Sequence, residues 1–269
     1  MSWRTGLRGL VGVRAARAQR PRWDGITGRP PSGNGASSFH LFWDGPASTI
    51  VRAEATLEVL QPPTTDRLHF WALQASFTDR RGEGGAGHVG LQWCTNPAGP
   101  AVNWGGYDDR GAELSGSASA LPSAWHNVNT RSYPWVTGRA YRLGIEWGGG
   151  LDDGSGRSRW LGTIDDLTDG TRTEIRELFA HGDRLASPMV WSEVFASCDD
   201  PGSAVRWSDL AVIDNTGRRS VVSSATVNYQ SLADGGCATT DVQIDDLGVV
   251  QRTGVARRTR HGTRIRLPT

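Results

Sequence analysis

At 269 residues and 37% hydrophobic content the chain is long enough to bury a substantial core, and 29 basic against 28 acidic residues leave a formal charge of +1. That balance excludes a general electrostatic pull toward nucleic acid or anionic lipid, and no run approaches the roughly 20 apolar residues of a membrane-spanning helix. Every basic residue is arginine, and 12 tryptophans stand among few other aromatics. Core is the default place for any one tryptophan, although the same flat rings also stack on sugars.

In chain order, residues 1–38 read as a disordered basic arm and linker. Arg4, Arg8, Arg14, Arg17, Arg20 and Arg22 come with no acid among the first 22 residues, and Arg8 and Arg14 interrupt any signal-peptide core. From Pro30 to Ser38 the chain is rich in Pro, Gly, Ser and Asn, which bury too little apolar surface to order themselves.

Residues 39–215 predict a β-sandwich. Ala53, Ala55, Leu57 and Val59 alternate with Arg52, Glu54 and Glu58, and Tyr141, Leu143, Ile145 and Trp147 alternate in the same way. A period of two means strands with one wet and one buried face. Asp169-Gly170 lies between two strand-like runs, 160–164 and 173–179, and predicts a hairpin. No stretch keeps a 3.6-residue apolar period, so little helix is expected. The segment Gly82-Glu83-Gly84-Gly85-Ala86-Gly87 fits a dinucleotide-binding pattern by letter. A strand, His88 to Trp93, follows it instead of a helix, so it reads as a flexible hairpin loop. The fold class is therefore an all-β, two-layer antiparallel sandwich of the jelly-roll kind. Residues 216–269 read as a small C-terminal β appendage with a basic tail, or else as strands completing the main sheets.

Four segments carry a family resemblance. Phe70-Trp71-Ala72-Leu73-Gln74, Val89-Gly90-Leu91-Gln92, Trp135-Val136-Thr137-Gly138-Arg139-Ala140-Tyr141-Arg142-Leu143 and Val190-Trp191-Ser192-Glu193-Val194-Phe195 resemble, in order, segments of the domain of unknown function 3472 family. The resemblance implies a concanavalin-like β-sandwich of the sort found mostly in secreted bacterial proteins, often beside carbohydrate-active modules. It implies no activity.

The leading functional expectation is a noncatalytic carbohydrate-binding module. Trp104, Tyr107 and Trp125 would stack on a sugar while Asn103, Asp108 and His126 bond its hydroxyls. The alternative is a glycan hydrolase or lyase using Glu193, whose carboxyl beside Trp191 and Phe195 would have a raised pKa suited to acid catalysis. Against that stands the simpler reading of Glu193 as an acceptor for an Arg or Trp indole within a filled core face. A third reading is a structural scaffold engaging a partner through its Arg-rich termini.

No cofactor is predicted. Acidic doublets such as Asp108-Asp109 and Asp165-Asp166 are oxygen-rich enough to admit calcium, but none has the spaced calcium-loop pattern, and they suit turns. The six histidines are scattered without pairing, so neither a zinc site nor a triad is expected. Of the three cysteines, Cys198 and Cys237 both follow predicted strands in Asp/Gly-rich loops and are the expected disulfide. A disulfide favours an extracellular or cell-surface compartment.

Overall fold

The computed structural model describes residues 37–45, 49–95, 98–124 and 126–268; the basic arm lies outside them. Sixteen strands and one short 3-10 turn, Leu232–Asp234, make up its regular structure. Little helix and antiparallel pairing throughout are as the period-two patterning requires.

The strands form two layers. One runs in the order β16 (Arg264–Arg266), β13 (Ser224–Tyr229), β1 (Ser37–Trp43), β10 (Arg184–Val194), β3 (His69–Asp79), β4 (Gly82–Thr95), β5 (Ala98–Tyr107) and β6 (Thr130–Ser132). The other runs β14 (Thr240–Ile244), β15 (Val249–Thr253), β11 (Ala204–Asp214), β2 (Ile50–Gln61), β7 (Ala140–Gly150), β8 (Ser158–Asp166) and β9 (Arg172–Ala180), with β12 (Arg219–Val221) also on β11. A single pairing, Leu185 with Ile50, stitches the layers beside an irregularity in β10 where Ser187 takes a left-handed φ of 48°.

Between the layers the alternating residues interlock. Phe77 stacks on Trp160 with ring centroids 4.4 Å apart, and Trp71 meets Trp135 edge-on at 5.9 Å. Ala53, Ala55, Leu57 and Val59 are all fully buried, as are Leu143 and Ile145, so the predicted inward faces of β2 and β7 are the real ones. At the end of β7 the pattern breaks, and Trp147 is 38% exposed.

Two expectations are revised. The glycine-rich segment is not a loop: the turn of the β3–β4 hairpin falls at Arg80-Arg81, and residues 82–87 are the first part of β4. The glycines are there for close approach. A Cβ on Gly84 would lie 2.0 Å from the His181 carbonyl oxygen, and one on Gly87 would lie 2.6 Å from the Phe77 ring and 2.8 Å from the Trp104 ring. The segment after Asp214 takes the second of its two readings. Its strands join both layers, and Gln251 of β15 bridges them: its side-chain oxygen accepts from Trp207 Nε1 at 2.8 Å and Ser192 Oγ at 2.7 Å, while its amide donates to the Phe39 carbonyl at 2.9 Å. Strands on both sides of residue 215 thus share hydrogen-bonded sheets, and removing this buried amide would leave its partners unsatisfied.

Cys198 and Cys237 form the expected disulfide, Cα atoms 5.5 Å apart. It joins the loop after β10 to the loop before β14 across 39 residues of sequence, a closure worth about 4 kcal/mol against the unfolded chain. Among the described residues no helix is long and apolar enough to cross a membrane.

Candidate functional site

Among the described residues the sugar platform anticipated from composition is divided between two faces. Trp104 and Asn103 are neighbours on β5 and therefore point to opposite faces. Trp104 is fully buried between the layers, edge-on to Phe77 at 6.5 Å, so it can stack on no ligand. Asn103 faces the other way and donates to Thr130 Oγ1 at 2.9 Å. Asp108 accepts from the amides of Arg110 at 2.9 Å and Ala112 at 2.8 Å, the ordinary work of a turn aspartate. Tyr107 is 56% exposed and His126 is exposed in a left-handed turn at φ 52°; Trp125 lies outside the described residues.

A different cluster forms on the outward face of the first layer. Pairing registers bring Ser38 opposite Glu193, His40 opposite Trp191 and Phe42 opposite Met189 on one side of β10. On its other side Glu193 faces Phe70, Trp191 faces Ala72 and Met189 faces Gln74, and the next strand sets His88 against Gln74. Residues directly opposite share a face, so these groups form one continuous patch.

Trp191 is its hub. Its ring meets Phe70 at 4.8 Å, His88 at 5.8 Å and His40 at 6.4 Å, and its Nε1 donates to Gln74 Oε1 at 2.9 Å. Phe70, Ala72, Met189 and Trp191 are almost completely buried although they belong to an outward face, because the large side chains cover one another.

Glu193 sits at the edge of this patch. It is partly accessible, and among the described residues its one hydrogen bond comes from Ser38 Oγ at a long 3.4 Å, with no cation paired to it. Burial without a counter-charge pushes its carboxyl up from 4.5 to about 7. The same poor solvation pushes His40 and His88 down to about 4, so both imidazoles are neutral at pH 7. The neighbouring Asn103 amide acts the other way on His88, with the smaller effect. The His40 Nδ1 is buried with no partner.

Among the described residues neither an arginine nor an indole donates to Glu193: its hydrogen bond comes from Ser38, and the Trp191 indole donates to Gln74. Trp191 and Glu193 do share a face, but it is the outward one. His40, His88, Phe70 and Gln74 had no site role in the sequence taken alone. One signal was available: β3, His-Phe-Trp-Ala-Leu-Gln, carries bulky residues at both parities, which marks a strand covered on both sides.

Among the described residues no group of three or more His, Cys, Asp or Glu side chains could hold a metal ion.

No family model matches the chain, and no curated protein matches it. Solved structures similar to it include scytalido-glutamic peptidase with a peptide-based transition-state analogue, at 10% identity and a TM-score of 0.42, covering 81% of this chain and 97% of that one. The same peptidase with a transition-state analogue inhibitor aligns at 11% identity, TM-score 0.42, with the same coverages of 81% and 97%. SCP-B, a member of the eqolisin family of peptidases in complex with the tripeptide Ala-Ile-His, aligns at 12% identity and a TM-score of 0.40, covering 81% of this chain and 96% of that one. At these values the likeness says nothing of this chain's chemistry.

Proposed function

We propose that the protein is a hydrolase whose acid–base group is Glu193 and whose substrate lies along the outward face of the first layer. The observation that supports this reading is a largely buried carboxyl, without a cation, beside aromatic side chains, whose burial raises its pKa to about 7. A group half-ionised near neutrality can take a proton from water and return it to a leaving group, which is what general acid–base catalysis needs. Neutral His40 and His88 and the amide of Gln74 add hydrogen-bonding capacity around it, while Trp191 and Phe70 supply an apolar floor.

The register narrows the bond class. Among the residues aligned with it on β1, β3, β4 and β5, Glu193 is the one acid, and hydrolysis of glycosides by the usual route needs two carboxyls about 5–10 Å apart. Attack of water on an acyl carbon requires only one such group, so acyl transfer to water is the better match. A polymer carrying amide or ester links is the substrate class. The disulfide supports work in an oxidising compartment.

The test is incubation of the purified protein with an unfolded polypeptide, an ester panel and a glycan panel between pH 4 and 8, with products read by mass spectrometry. Cleavage by the native protein and none by Glu193→Gln is expected. Equal turnover in Glu193→Gln, or binding to any of these without turnover, would remove the hydrolase reading.

A further inference from the structure

A second polar site lies between the layers, on the far side of β5 and β6 from the Glu193 patch. Residues 114–117 lace the two layers together: Leu114 N donates to Gly106 O at 2.9 Å, while Ser117 N donates to Glu177 O and Phe179 N of β9 donates to Ser115 O. Arg131 on β6 is paired with Val102, whose side chain is in the core, so Arg131 also points inward. Arg176 on β9 is opposite Gly162 and is itself 6% exposed.

Several arginines among the described residues are matched with acids and others bond carbonyls, as Arg257 does, but none of the ion pairs includes Arg131 or Arg176. Arg176 donates from Nη2 to Asn129 Oδ1 at 2.7 Å and from Nη1 to Ser117 O at 3.5 Å, and its buried Nε has no partner. Arg131 also has a buried Nε without a partner. Glu113, the acid closest in effect, accepts from Asn129 Nδ2 and touches neither guanidinium. The two cations repel: burial and then Arg131 lower the Arg176 pKa, and the opposing pull of Glu113 is smaller. Two poorly solvated like charges with spare donors are costly unless something neutralises them.

We propose that Arg131 and Arg176 form a binding site for a small oxyanion, a phosphate, sulfate or carboxylate group, with Asn129 fixing the Arg176 fork. Guanidinium donors fit all three of these anions, in pairs and in plane.

Thermal unfolding and calorimetric titration of the full chain with inorganic phosphate, sulfate and acetate, each against sodium chloride at equal ionic strength, test it. A saturable rise in Tm with at least one of the three is expected, and the anion giving the largest rise identifies the class. Phosphate and sulfate also stabilise proteins generally, without a site. The control is Arg131→Gln, whose side chain makes no hydrogen bond among the described residues, and which should weaken the titrated affinity about tenfold or more. Arg176→Gln should do the same; if it does not fold, Arg131→Gln alone decides. No shift with any of the three anions, or an equal shift in Arg131→Gln, overturns the proposal.

Discussion

The two layers turn opposite surfaces outward. The second layer carries a lattice of ion pairs: Arg52 bonds Glu146 at 2.9 Å, Arg206 bonds Glu58 at 2.5 Å and Asp245 at 2.8 Å, and Asp209, in a left-handed bulge of β11, joins Arg142 at 2.9 Å and Arg219 at 2.6 Å. The first layer's outward face holds an aromatic cluster, two neutral histidines and, beside them, the Glu193 carboxyl without a cation. A solvated face gains solubility from compensated charge. A face that keeps an uncompensated acid among aromatics gives up stability at neutral pH, and such sacrifice is concentrated at functional sites.

The contrast can be broken at its strongest point first. Glu193→Gln should lower turnover about 100- to 10,000-fold while leaving the far-ultraviolet spectrum unchanged, whereas Glu146→Gln on the opposite layer should leave turnover intact. Parallel kinetics on the two variants decide whether chemistry belongs to one face.

Next comes packing. Trp191→Ala removes the hub of the cluster and should cost about 3–5 kcal/mol in denaturant unfolding.

The pH dependence sharpens the comparison further. Glu193, raised from 4.5 to about 7 in the folded state, contributes stability that is complete below about pH 4.5 and lost as pH rises through 7. His40 and His88, lowered from 6.5 to about 4, contribute stability present above 6.5 and lost as pH falls through 4. Glu193→Gln should therefore raise stability above pH 7 by about 2 kcal/mol, allowing for partial screening, and by nothing at pH 4. His88→Gln should flatten the loss between pH 6.5 and 4. Equilibrium unfolding across that range reads both.

The smallest effect belongs to the charged layer. Arg142→Ala breaks a pair whose side chains are 32% and 39% exposed, and should cost no more than about 1 kcal/mol, less still in high salt.

How far the sequence could be read follows from what each residue depends on. Hairpins such as Asp169-Gly170 and the buried faces of β2 and β7 are local: a positive φ at Gly170, 76° here, or an alternating run is enough to predict them. The Cys198–Cys237 link was legible because few pairings were available. The cluster around Trp191 was not, since its members come from β1, β3, β4 and β10, far apart in sequence, and only strand order makes them neighbours. Trp104 misled for the same reason, because composition around it suits a ligand loop as well as a strand whose odd and even residues part company.

By itself the sequence determined the all-β class, the alternation of wet and buried faces and the disulfide, because each rests on short-range backbone geometry or on residue type. The tertiary structure alone decided that the strands after residue 215 join both layers, that the glycines of β4 admit close neighbours, and that Glu193 stands among aromatics without a counter-charge. Those facts depend on which strands lie side by side, and that choice is made by the packing of the whole core.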